Sequence, residues 1–241
     1  KNRFFAFKSF LNASQISFVL ACILFILILS LKFIRCGDVY DPTLKPFSIN
    51  IDSNIRQKSR GSFYPENNLV VSTTGKTSRE LFEIRKKGGQ KNNDFLTVGG
   101  MGHTSSIALG AALSNTSKSV VCIDGDGSMI MHMGSMATIG NTAPNNFTHI
   151  IINNNAHDSV GGQTTHAENI DFELLSKAFG YRRFYSFNST KILENKWSEI
   201  QENDGPLLIE IKVLKGARKD LGRPTCTPLE NKKSFMKHAK K

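Results

Sequence analysis

Cysteine is scarce in this 241-residue chain: there are four, at Cys22, Cys36, Cys122 and Cys226, and they are scattered. No pair has metal-ligand or redox spacing, so neither a zinc module nor a disulfide framework is expected. Reduced thiols in the cytosol are the default, and Cys122, inside an apolar run, reads as a core residue. Acidic residues are also few, 20 Asp and Glu against 31 Lys and Arg, for a formal net charge of +11. The basic clusters at 85–91, 215–223 and 232–241 lack the interleaved aromatics of a single-strand binder. No nucleic-acid partner is expected, and the excess suits a solvated surface or an anionic small substrate. The last cluster reads as a solvated tail. No internal repeat is present.

What is there divides into three parts. Residues 1–35 form a hydrophobic segment, with no charge from Ser9 to Leu31 and Lys8, Lys32 and Arg35 at its flanks. It has the length and hydropathy of a transmembrane helix or signal-anchor. A mispredicted exon joined to a truncated chain would look the same, and a buried core helix is a further reading. Residues 36–66, with Pro42, Pro46, Gly61 and Pro65, read as a linker. Residues 67–241 alternate strand and helix patterns. Strands are expected at Leu69–Val71, Phe95–Val98, Ser119–Asp124, Phe147–Asn153, Arg183–Phe187 and Leu207–Val213. Helices are expected at Thr77–Lys87, with Thr77 as cap and Glu80 completing a capping box, and at Ser105–Leu113, Ser128–Ile139, Asp171–Phe179 and Lys191–Glu202. The spacing predicts an α/β fold, a doubly wound parallel sheet with helices on both faces.

Ligands of such sheets bind in the turns at the carboxyl ends of strands. The turn after SVVCID is Gly125-Asp126-Gly127-Ser128. A dinucleotide fingerprint would need glycine where Ile130 stands, and this turn has no P-loop Gly-Lys-Ser/Thr. Glycine backbone and amides at a helix start can hold a phosphate, and Asp126 puts a carboxylate beside it, which a magnesium bridge needs. A plain turn is the alternative for either feature alone. One strand later comes Asn153-Asn154-Asn155-Ala156-His157, where an Asn amide oxygen and a backbone carbonyl two residues on would complete an octahedral oxygen site. The pair of turns is more specific than either.

Those turns, with STTGKTSRELFE, GGMGHTSSIALGAAL, CIDGDGSMIMHMGSMATIG, INNNAHDSVGGQ and KGARKDLGRPTCTP, make residues 67–240 resemble the thiamine-diphosphate-dependent 2-oxo-acid decarboxylases. Within them the likeness is to the phosphonopyruvate decarboxylase family, with sulfopyruvate decarboxylases close behind. The resemblance implies thiamine diphosphate and Mg2+ as cofactors. It implies Asp126, Asn154 and the carbonyl of Ala156 as metal ligands, and Gly125, Gly127 and Ser128 at the diphosphate. Thr74, Gly75 and Lys76 would reach its other side. The Gly99 carbonyl would accept from the aminopyrimidine, with Met101 wedged between the two rings. His157 becomes a candidate proton donor, and His103, Arg218, Lys219 and Arg223 candidate contacts for an anionic 2-oxo acid. Asn155 stands where glycine is expected, though Asn tolerates left-handed backbone, and Asp158 where Glu is more common.

The implied reaction is decarboxylation of 3-phosphonopyruvate to phosphonoacetaldehyde and CO2. Such enzymes need a glutamate on a pyrimidine-binding domain, which residues 1–66 are too short and too hydrophobic to form. Three readings follow: a cofactor domain truncated in this sequence, the small subunit of a two-chain sulfopyruvate or other 2-oxo-acid decarboxylase, or a catalytically inactive membrane-tethered binding module. The first two imply a homo- or hetero-oligomer.

Overall fold

Among the described residues, apolar runs rich in Val, Ile and Leu become strands, as in VVCIDG, FTHIIIN and LLIEIK, because branched side chains pack well on a pleated surface. The computed structural model describes residues 68–217 and 220–240. Its strands are β1 (Leu69–Ser72), β2 (Phe95–Leu96), β3 (Val120–Gly125), β4 (Phe147–Asn153), β5 (Arg183–Phe187) and β6 (Leu207–Lys212). They form one sheet in the order β2-β1-β3-β4-β6-β5, and every neighbouring pair is parallel. The helices are α1 (Lys76–Lys87), α2 (Thr104–Ser114), α3 (Asp126–Met131), α4 (Gly134–Thr142), α5 (Phe172–Ala178), α6 (Thr190–Gln201) and α7 (Pro228–Ala239).

Side chains alternate across a strand, so the sheet has an apolar core on each face. On one face Leu69, Val71, Val120, Phe147, Ile151 and Leu208 pack against α2, α4, α5 and α7 through Ala108, Ala112, Met136, Ile139, Phe172 and Phe235. On the other Val70, Val121, Ile123, Ile150 and Ile209 meet Leu81 and Phe82 of α1 and Ile200 of α6. This is the expected doubly wound sheet. Burial on both faces explains why β3 and β4 read as nearly continuous apolar runs.

Three local expectations are corrected. The first helix is capped by Gly75, not Thr77, with no side-chain cap hydrogen bond. Gly75 takes φ +91 and ψ −138, so Lys76 is already helical and Thr77 lies inside the first turn. The single helix expected over Ser128–Ile139 is two, because His132 leaves helical dihedrals (φ −130, ψ 46) and its ring packs against Gly102. The basic C-terminal cluster is not a loose tail. Residues 228–239 are α7, with Thr227 accepting from the Glu230 amide, the Glu230 carboxylate accepting from the Thr227 amide, and Pro228 at the first helical position.

The apolar segment 1–35 and linker 36–66 lie outside the described residues. Among those described, no helix is long and apolar enough to cross a membrane.

Candidate functional site

The chain leaves β1 for β2 on one side and returns to place β3 on the other. The strand order therefore reverses between β1 and β3, the position where open α/β sheets open a crevice at the strands' carboxyl ends. The turns after β1, β2, β3 and β4 converge there on a cleft of about 830 Å³. Thr74, Gly75, Lys76, Met101, Asp126, Gly127, Ser128, Asn154, Ala156 and His157 all line it. The two turns singled out in the sequence, after β3 and after β4, thus face the same space.

Asp126 is 2% exposed. Its carboxylate accepts from the Thr165 hydroxyl and from the main-chain amides of Asp126, Gly127 and Asn154. Burial still outweighs these donors and pushes the carboxyl above its ordinary value of 3.8. A nearby cation would offset that desolvation. Asn154 is oriented by its neighbours: its Nδ2 donates to Asp158 Oδ2 at 2.8 Å, and its Oδ1 accepts from the Ala156 amide at 3.1 Å. Asn155, between them, has φ +55, the left-handed conformation that glycine would otherwise supply. Carboxylate, amide oxygen and main-chain carbonyl are a hard oxygen set, suited to magnesium rather than a softer metal.

Gly127 is required for a steric reason. A Cβ built there would lie 2.5 Å from His157 Cε1 and 2.9 Å from Thr165 Cγ2. Only a bare α-carbon lets the His157 ring cover this turn. Ser128 joins three turns: its Oγ accepts from Thr73 Oγ1 at 3.1 Å and from the Gly102 amide at 3.0 Å. The Gly99–Gly102 turn holds its glycines at φ +67, +55 and +88. This left-handed run presents Met101 to the cleft, and substituents with a Cβ would strain it.

The remaining candidates are distributed unevenly. His103 is exposed and braces the Met101 turn, with Nδ1 at 3.2 Å from the Gly100 carbonyl and its ring edge-on to His132 at 4.4 Å. It does not line the cleft. Arg223 is exposed and also lies off the lining. Arg218 and Lys219 lie outside the described residues. Residues not anticipated include Lys215 and Gly216, which line the cleft. This wall is fixed by the Gly216 amide donating to Asp158 Oδ2 at 2.8 Å and the Val213 amide to the Asn153 carbonyl at 2.8 Å. Thr73 could have been read from its place at a strand end. Thr165 could not: it lies in a loop remote in sequence from Asp126 and in no recognisable motif.

The family model "Thiamine pyrophosphate enzyme, C-terminal TPP binding domain" matches residues 73–211, more than half of the chain. The chain is 39% identical over 171 residues to "Phosphonopyruvate decarboxylase" of Streptomyces viridochromogenes, covering 71% of this chain and 42% of that protein. A second phosphonopyruvate decarboxylase, from Streptomyces hygroscopicus, is 40% identical over 70% of this chain and 41% of its own length. The chain therefore spans well under half of these relatives. It is 38% identical over 178 residues to "Sulfopyruvate decarboxylase subunit beta" of Methanococcus maripaludis, covering 74% of this chain and 92% of that subunit. With the β3 and β4 turns converging on the switch-point cleft, these matches show that the chain belongs to the thiamine pyrophosphate enzymes, through their C-terminal TPP-binding domain.

Proposed function

We propose that this chain supplies the diphosphate- and magnesium-binding half of a decarboxylase that converts 3-phosphonopyruvate to phosphonoacetaldehyde and CO2. The observation that carries the reading is the convergence of Asp126, Asn154 and Ala156 on one cleft at the switch point. Identity of about 40% to two phosphonopyruvate decarboxylases supports the substrate.

The residues fit the two groups implied. The Asp126 carboxylate, Asn154 Oδ1 and Ala156 carbonyl would hold Mg2+. Gly125, Gly127 and Ser128 would take one side of the diphosphate, and the Thr74-Gly75-Lys76 turn the other. The Gly99 carbonyl and Met101 would position the ring system. When bound, the cofactor supplies the electron sink that allows CO2 to leave a 2-oxo acid.

The chain's own residues then do four things. The hydrogen bonds on Asn154 and Asp126 fix the metal's oxygen donors before it arrives, which lowers the ordering cost of binding. Met101 puts an apolar side chain in the cleft and keeps water from the space beside it. Lys76 and Lys215 bring two cationic groups to a lining that also holds Glu80, Asp126 and Asp158, and would pair with the substrate's anionic groups. His157, packed on Gly127, places a ring nitrogen where a proton can be held or delivered next to the diphosphate turn. Arg218 and Lys219 would be further contacts for the substrate's anionic groups, whereas His103 and Arg223, off the cleft lining, have no place in this reading.

In this reading residues 67–241 form the cofactor domain, behind a linker at 36–66 and an apolar segment at 1–35. The activating glutamate comes from a pyrimidine-binding domain, elsewhere in the same polypeptide or on a partner chain. One observation favours a second reading, a subunit of a two-chain sulfopyruvate decarboxylase: the match covers 92% of a subunit beta.

Calorimetry of the full chain with thiamine diphosphate tests the first step. Binding should require Mg2+ and disappear in Asp126→Ala. A pyrimidine domain from a sulfopyruvate decarboxylase is then added, and CO2 release from phosphonopyruvate and sulfopyruvate compared. Faster turnover of the first supports the main reading, and of the second the alternative. A folded chain that binds no cofactor even with that domain present would sink both.

A further inference from the structure

Behind the metal turn, on the α2 face of the sheet, lies a polar cluster that the cofactor site does not use. Cys122 and Asp124 alternate onto that face of β3, and His149 of β4 is in register with Cys122. All three are 0% exposed. The Cys122 sulfur, an Asp124 carboxylate oxygen and a His149 ring nitrogen all lie within 4.8 Å of one another.

Half of each polar side chain is accounted for. Asp124 Oδ1 accepts from the Gly125 amide at 2.9 Å, and His149 Nδ1 lies 3.0 Å from the Tyr181 hydroxyl. The other half is not. Asp124 Oδ2 and His149 Nε2 face each other at 3.7 Å, and neither has a hydrogen-bond partner. When Nδ1–H donates to Tyr181, Nε2 presents a lone pair to a carboxylate oxygen. Two buried acceptors so placed are costly unless a positive species sits between them.

We propose that Cys122, Asp124 and His149 form a buried site for a divalent cation of the zinc class, distinct from the magnesium site. Donors bonded at ~2.0–2.3 Å to a tetrahedral ion stand roughly 3.5 Å apart. The Asp124–His149 separation of 3.7 Å is already close to that, and the sulfur has only a short distance to move. One thiolate and one carboxylate balance the ion's two charges. Sulfur and imidazole select a borderline-soft metal over magnesium. Tyr181 orients the imidazole from its far nitrogen, as outer partners of metal-bound histidines do. Water takes the fourth position. Since the cluster is shut from solvent, the ion enters as the chain folds. Bound there, it clamps β3 to β4 directly behind Gly125 and Asp126.

The full chain, expressed in zinc-supplemented medium and freed of loose metal by a weak chelator, should carry about one zinc per chain by mass spectrometry. His149→Gln and Cys122→Ala should lose it, and Asp126→Ala should keep it. Refolding with Co2+ should give a near-ultraviolet thiolate-to-cobalt band, absent from Cys122→Ala. If the variants do not fold, the wild-type zinc content and cobalt band decide alone. Zinc no higher than in the buffer, with no cobalt band, would overturn the proposal and leave a proton or water between His149 and Asp124.

Discussion

At Asp126 the fold holds a carboxylate where burial opposes its ionisation, even with Thr165 and three amides donating to it. Its native pKa is raised above 3.8, so folding favours the protonated form. The associated stability is complete below the ordinary carboxylate value and is lost as pH rises through the raised one. Asp126→Asn should therefore make the metal-free chain more stable than wild type at neutral pH. The difference should shrink as pH falls towards 3.8, and thermal melts across the range would show it. Gly127→Ala tests the close approach of His157. The added methyl must displace His157 or Thr165, so cofactor affinity should fall by about tenfold or more, the effect of ~1.4 kcal/mol of displaced contacts. Calorimetry on the folded variant would measure it.

At the scale of elements, the short edge strand β2 is held from two sides. The end of α1 grips the residue before it: Arg85 Nε lies 2.8 Å from Asp94 Oδ2 and Nη2 lies 3.0 Å from Oδ1, both side chains buried. From the other side, Asn231 of α7 donates to the Asp94 carbonyl at 2.8 Å and accepts from the Leu96 amide at 2.9 Å. Asp94→Ala removes the carboxylate opposite a buried guanidinium. It should cost about 3 kcal/mol in urea denaturation, the low end for breaking a buried pair, because Gln90 still accepts from Arg85. The order of elements was legible because the strands are short apolar runs and the turns carry glycine and polar residues. Helix α7 was missed although Thr227, Pro228 and Glu230 spell a start signal, since its lysine-rich outer face hides the inward Asn231 and Phe235. The break at His132 had no local signal, because its cause is the packing of that ring on Gly102, a contact between distant residues.

For the whole molecule, the candidate site was legible where one turn carries its own chemistry, as at Asp126, Asn154 and Gly127. It was illegible where a residue acts by position alone. Thr165 and Lys215 arrive from loops whose course only the assembled sheet determines. The same logic links α7 to the cleft. Phe235 packs edge-on to Phe95 with ring centroids 5.5 Å apart, and β2 leads directly into the Gly99–Gly102 turn. Deleting residues 227–241 should therefore lower cofactor affinity more than it lowers far-ultraviolet helicity, with calorimetry and circular dichroism as the two readouts.

The strand order also has a consequence during protein synthesis. Among the described strands β6 is made last, yet it lies between β4 and β5. A nascent chain paused before residue 207 has an open apolar edge along β4 and a β5 with no neighbour to bond. The Lys215–Gly216 wall of the cleft follows β6 out of the ribosome. Until then the growing chain offers a template for pairing with other chains and only part of a pocket, so a premature stop in this region yields an aggregation-prone product rather than a weaker cofactor binder.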